Sequence, residues 1–375
     1  MEIIEIETPV PCPEAFFEIT ELSEYSRAAF LLSIGIQLNP PNENVKEELF
    51  ETNVAFPLPK INKLESRVNS IELEQIIDFG APVNDENLIN SYARNIIEHL
   101  YYSEEDKWKH SIRLLYIFMN HPNDLLKVSA AISWIDSVEV SYDSEAISIL
   151  LSVAIKAEND LVRDMAVTCL SRLYALLGFR GNDHLNLDAD LEVIKSDSYI
   201  VHGTIFSNPG KSYEKWWEPN YGDLHKYLKN GSRPNLYEGI DYFKWSGGWN
   251  DYARQEGSEK LVEWVNKHDM HDTDAFAHSH GCNVAMLATQ DIKVKNLILM
   301  SCPIHWNLYK PNFSNVKNIL SIRVKWDLVI MADRGGQRFR DTRISEKVLP
   351  LWFTAHDASR KSNTWKKSSI DQYLP

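Results

Sequence analysis

The chain has 375 residues, more than one hydrophobic core usually organises, so two domains are expected. Hydrophobic residues at 44% and charged residues at 25% exclude an intrinsically disordered chain. The net charge of −14 excludes a nucleic-acid binder that works by displacing counterions from phosphates, since that needs a basic stripe.

The charge is unevenly placed. Residues 1–190 carry 32 Asp and Glu against 14 Lys and Arg, whereas residues 191–375 carry 21 against 25. The expected division is therefore a helical domain over 1–190 and a second domain over 191–375. Met1 to Val10 has neither a basic nor an apolar leader segment, and no stretch is long enough to span a bilayer. Cys12, Cys169, Cys282 and Cys302 lack the spacing of a disulfide framework or metal site. A cytoplasmic protein with free thiols, no metal and no transmembrane segment is expected.

In chain order, a helix is expected from Pro13 to Ile36 and strand-like structure around Val54 to Leu58. From Asp85 onward, apolar residues recur at helical spacing in five segments: Leu88 to Tyr101, Trp108 to Met119, Leu125 to Ile135, Ile147 to Ala157 and Leu161 to Leu177. Ser103-x-x-Asp106 resembles a capping box for the second of these. The octapeptides starting at Asp124 and Asp160 share acid, aliphatic, basic and small positions at an offset of 36. That pattern resembles HEAT-type repeats, in which stacked helices cover faces that no single unit can bury; about two units match, few for a solenoid, so a plain helical domain is the alternative, and a protein partner for residues 1–190 is an expectation.

After Asp197 the pattern turns to short β-branched or aromatic runs alternating with helical segments, as in parallel α/β structure. Strands are expected at Tyr199–His202, Ile240–Trp245, Asp274–Ala277, Lys295–Met300, Ile319–Lys325 and Leu349–Thr354, with the clearest helices at Asp251–Lys267 and Cys282–Thr289. Phe206 to Pro234, with Trp216-Trp217, reads as a loop. Nine of the eleven tryptophans lie from Trp216 onward and are expected mainly as core or pocket wall.

Ala277-His278-Ser279-His280-Gly281 follows an expected strand and opens an expected helix. A serine raised on such a turn needs small residues two before and two after it, and Ala277 and Gly281 qualify. The turn also sets the His280 N–H where negative charge would develop on an attacked carbonyl. Upstream, Val201-His202-Gly203-Thr204 ends a strand, and Gly203 permits a tight turn aiming the Thr204 N–H at the same place. A serine hydroxyl is a weak nucleophile near neutral pH and needs an imidazole to accept its proton, with a carboxylate to hold the imidazole. Of the downstream histidines His280, His305 and His356, only His356 follows the last expected strand. Asp291, Asp333 and Asp341 are possible acids, but Asp327 directly ends the preceding strand. His278 and His280 also match the opening His-x-His of a metallo-β-lactamase motif, but Cys282 and Asn283 stand where its next ligands belong.

Through these motifs, with Trp245-Ser246-Gly247, Lys325-Trp326-Asp327 and Ala355-His356, residues from Tyr199 onward resemble α/β-hydrolases of the lipase and esterase kind. The resemblance implies a minimal α/β-hydrolase fold lacking the first two strands, in which Ser279 cleaves a carboxylic ester or lipid through an acyl-enzyme without a cofactor. The rival reading is a helical-repeat interaction protein carrying a degenerate hydrolase fold as scaffold.

Overall fold

The computed structural model describes residues 23–51, 58–77, 85–103, 106–138, 144–176, 196–204, 215–248, 250–352 and 356–375. The chain divides into two compact units, Met1–Leu170 with Met331–Gly336, and Ser171–Ile330 with Gln337–Pro375. Among the described residues, no helix is long and apolar enough to cross a membrane.

The first unit is helical, with α1 (Ser23–Leu38), α2 (Glu43–Glu51), α3 (Ser70–Ile76), α4 (Glu86–Tyr102), α5 (Lys107–Met119), α6 (Asp124–Ser137), α7 (Ser144–Lys156) and α8 (Asp160–Leu176), the last running on past Leu170. Most side chains of α6 are buried on every side, so it forms the centre of the unit rather than an amphipathic cover. Its small residues make that possible. An added Cβ on Gly35 of α1 would stand 2.7 Å from the Ser133 Cβ, and the Ser133 hydroxyl donates to the Leu31 carbonyl at 2.7 Å. Asn123 caps α6 through the Leu125 and Leu126 N–H groups, and Asn159 accepts from the Leu161 N–H at the start of α8, so the two related octapeptides open helices in the same way.

Ser103-x-x-Asp106 forms no capping box. Ser103 ends α4 by donating its N–H to the His99 carbonyl, and Asp106 begins α5 in a left-handed conformation (φ 54°) without a side-chain cap bond. Its carboxylate pairs instead with Lys109 at 3.0 Å. Of the expected first helix, the described part is helical, as Ser23–Leu38; Pro13 to Leu22 lie outside the described residues, as do Val54 to Pro57 of the expected strand-like stretch, and Leu58 is irregular.

The second unit is a five-stranded, wholly parallel sheet in sequential order: β1 (Ser198–Val201), β2 (Thr273–His278), β3 (Val294–Met300), β4 (Val316–Lys325) and β5 (Ile344–Trp352). Its helices are α9 (Asp223–Asn230), α10 (Asp251–Lys267), α11 (His280–Ala288), α12 (Leu328–Ala332) and α13 (Ser362–Lys367), with 3-10 turns at His356–Arg360 and Ile370–Tyr373. Alternation along the strands divides the core in two. Tyr199, Val201, Ala275, Ala277, Leu297 and Leu299 pack with α10 and α11 on one face, while Ile200, Phe276, Ile298, Met300 and Ile322 pack with α9 and α13 on the other. Burial of both faces accounts for the continuous apolar runs that mark these strands in the sequence.

Two readings of this half are corrected. Ile240–Trp245 is not a strand: Ile240 is 73% exposed, the Asp241 carbonyl accepts from the Trp264 indole, and the Trp245 N–H donates to the His202 ring. Side chains take these two backbone groups, and the chain just before the segment makes an isolated bridge to β1, Leu236 with Ser198. The stretch read as a loop contains α9, and Trp216 and Trp217 are buried against His202 and His278; residues 205–214 lie outside the described set.

Candidate active site

Parallel strands of one sheet end at the same side, so residues just past their C-terminal ends gather there whatever their separation in sequence. Ser279 follows β2 directly and precedes α11. Its backbone is held at φ 52° and ψ −132°, a conformation rarely adopted by L-residues, while its N–H donates to the Met300 carbonyl at 2.9 Å. The small neighbours have a steric cause. Any Cβ on Gly281 would collide with the His202 carbonyl, and one on Gly203 would stand 2.8 Å from the His278 carbonyl and 2.9 Å from the Ser279 Cβ. Cys282, fully buried, donates its thiol to the Ala277 carbonyl and fits the helix start without crowding it.

Asp327 follows β4 by two residues and caps the short α12: its Oδ1 accepts from the Val329 and Ile330 N–H groups at 3.0 and 3.3 Å. Its own N–H donates to the Gln337 amide oxygen at 2.8 Å. The remaining oxygen, Oδ2, lies 2.8 Å from His356 Nδ1. A carboxylate only accepts, so Nδ1 carries the proton and Nε2 is left to accept from the Ser279 hydroxyl, 3.1 Å away. Ser279, Asp327 and His356 thus form one hydrogen-bonded chain, and their exposures of 6%, 1% and 6% place it out of bulk water. Ala355 lies outside the described residues.

Of the two expected N–H donors, His280 adjoins the serine in the chain as the first residue of α11, and Thr204 follows the glycine packed on the Ser279 Cβ. The His280 ring takes a hydrogen bond from buried Arg254 at 3.2 Å, with the Asn283 amide 3.4 Å from its other nitrogen. The His278 ring points to different partners, so the His-x-His pair does not converge on a common point.

His202 holds the loop that carries Thr204. Its Nδ1–H donates to the Gly203 carbonyl at 2.8 Å, its Nε2 accepts from the Trp245 N–H at 3.3 Å, and its ring stacks between Trp217 and Trp245. Burial drives its pKa down to about 4, against a weaker upward pull from the bond to the Gly203 carbonyl. Above pH 6.5 the ring is neutral folded and unfolded; as pH falls, the unfolded chain binds a proton that the folded one refuses until about pH 4. Folding stability is therefore lost between those values, by roughly 1.4 kcal/mol per pH unit for this group. Urea unfolding followed by tryptophan fluorescence at pH 7, 5.5 and 4.5 measures the slope. His202→Gln is expected to flatten it by about one proton, and an unchanged slope would show that His202 is not the group responsible.

No protein-family model and no curated protein matches the sequence.

Proposed function

We propose that the second unit is a serine hydrolase of the α/β-hydrolase kind that cleaves a carboxylic ester. The observation that carries this reading is the Asp327–His356–Ser279 hydrogen-bond chain, with the serine on a strained strand-to-helix turn. Attack by Oγ on the ester carbonyl passes the hydroxyl proton to His356 Nε2, and Asp327 holds the imidazolium that results. The Thr204 and His280 N–H groups stabilise the oxygen as it becomes negative. His356 then protonates the departing alcohol, leaving an acyl group on Ser279. Water, deprotonated by the same imidazole, releases the acid and restores the serine. Every proton moved belongs to the chain, the substrate or water.

A fluorophosphonate probe tests the reading because it phosphonylates only an activated serine. The intact chain is expected to label stoichiometrically and Ser279→Ala not at all. Equal labelling of the two would remove Ser279 as nucleophile, and no labelling of either would favour the scaffold reading. Esters of p-nitrophenol with graded acyl lengths define the substrate class, a preference for long chains marking a lipid. In this reading the acidic helical unit, with its equivalently capped α6 and α8, is a HEAT-like module that binds a protein partner to regulate or localise hydrolysis.

A further inference from the structure

We propose that His278 is a positioning residue for the base: its Nε2–H, together with the Ser301 hydroxyl, grips the backbone carbonyl of His356 and so sets the imidazole between Ser279 and Asp327. This inference rests on the hydrolase reading. His278 is not a catalytic residue, since it touches none of the reacting atoms.

Three contacts define the grip. The His356 carbonyl accepts from the Ser301 hydroxyl at 2.9 Å and from His278 Nε2 at 3.2 Å, and Ser359 Oγ lies 3.5 Å from it and 2.8 Å from Ser301 Oγ. A carbonyl only accepts, so the His278 proton sits on Nε2. These donors come from the elements that hold the nucleophile. His278 is the last residue of β2 and precedes Ser279; Ser301 follows β3, whose last carbonyl, Met300, accepts the Ser279 N–H. One pair of strand ends therefore fixes the backbone of both the nucleophile and the base.

The His278 ring also touches the third part of the site. An added Cβ on Gly203 would stand 3.2 Å from its Nδ1, its edge meets the His356 ring at a centroid distance of 5.0 Å, and Trp216 closes its other side at 5.4 Å. The groups facing it are His356, the Arg360–Asp357 ion pair and the Trp216 ring. Burial first, then the positive charges of His356 and Arg360, drive its pKa well below the ordinary histidine value, against smaller upward pulls from Asp357 and the carbonyl bond. A ring that stays neutral keeps its donor in place when His356 takes up the serine proton, and does not compete for that proton.

A buried histidine that only fills space predicts different results from one that supplies a donor. His278→Phe keeps the aromatic volume and loses the donor, whereas His278→Gln loses the ring and carries an amide N–H to a similar position. In full-length protein with ¹⁵N-labelled histidine, the Nδ1–H of His356, bonded to Asp327, is expected as a downfield proton resonance. It should broaden or shift upfield in His278→Phe, more so when Ser301→Ala is added, and persist in His278→Gln. With p-nitrophenyl butyrate, kcat should fall about 10- to 100-fold in His278→Phe at nearly constant KM, and His278→Gln should recover most of it. A wild-type resonance in His278→Phe overturns the inference. So does equal loss in the Phe and Gln variants, which would mark the ring as packing alone. If the resonances follow the expected order while wild-type protein cleaves no ester, the hydrolase reading fails and the positioning of His356 stands.

Discussion

Removing the Ser279 hydroxyl is expected to lower kcat for p-nitrophenyl butyrate on the order of 10⁶-fold, and removing the His356 ring to lower it about as much. The two act on one proton. Without Nε2 at 3.1 Å, the hydroxyl has no acceptor; without the hydroxyl, the imidazole has nothing to deprotonate except water. Ser279→Ala combined with His356→Ala should therefore lose no more than either alone, while KM changes little because neither group is needed to bind the ester. Stopped-assay kinetics at saturating substrate measure all three variants. Retention of more than about 1% of kcat by Ser279→Ala would assign the chemistry to another nucleophile, and additive losses would mean that the two groups serve separate steps.

The second large effect is expected of Asp327→Asn, which should lower kcat about 10⁴-fold with the fold intact. The direction follows from the α12 cap. Oδ1 of Asp327 accepts from two main-chain N–H groups, and an asparagine can satisfy them only by turning its amide oxygen to that side. Its NH₂ then faces His356 Nδ1, which must accept, and the ring proton moves to Nε2. An Nε2 that carries a proton cannot take one from Ser279. The ¹⁵N shifts of His356 report the tautomer directly, and activity within tenfold of the parent would sink the assignment of Asp327 as the orienting acid.

Much of this site is legible in one dimension because strand periodicity and chain order are local properties. Ala277 to Gly281 announces itself through small residues at fixed offsets, and the structure shows what Gly281 avoids, the His202 carbonyl, and what Gly203 of the upstream motif avoids, the His278 carbonyl and the Ser279 Cβ. Asp327 and His356 follow from asking which acid and which histidine come just after a strand. At Ile240–Trp245 the local pattern and the fold part company. The segment's aromatic, β-branched composition is that of a strand, but whether a strand forms depends on a neighbour with unpaired backbone groups, and here Trp264 and His202 take those groups first. The Ser103 motif fails because the next helix starts at Lys107, which puts Asp106 and not Ser103 at its cap position.

The partners of the His356 carbonyl were out of reach of any reading along the chain. Ser301 is 55 residues away from it and His278 is 78, and no spacing rule joins a carbonyl to two side chains at such distances. Composition and periodicity sufficed for a helical first part, an alternating second part and a serine on a sharp turn, because each reflects interactions among near neighbours in sequence. Which oxygen of Asp327 meets the ring, which nitrogen holds the proton, and which strand ends clamp the base were decided by folding alone, since a parallel sheet brings together the far ends of strands that the chain keeps apart.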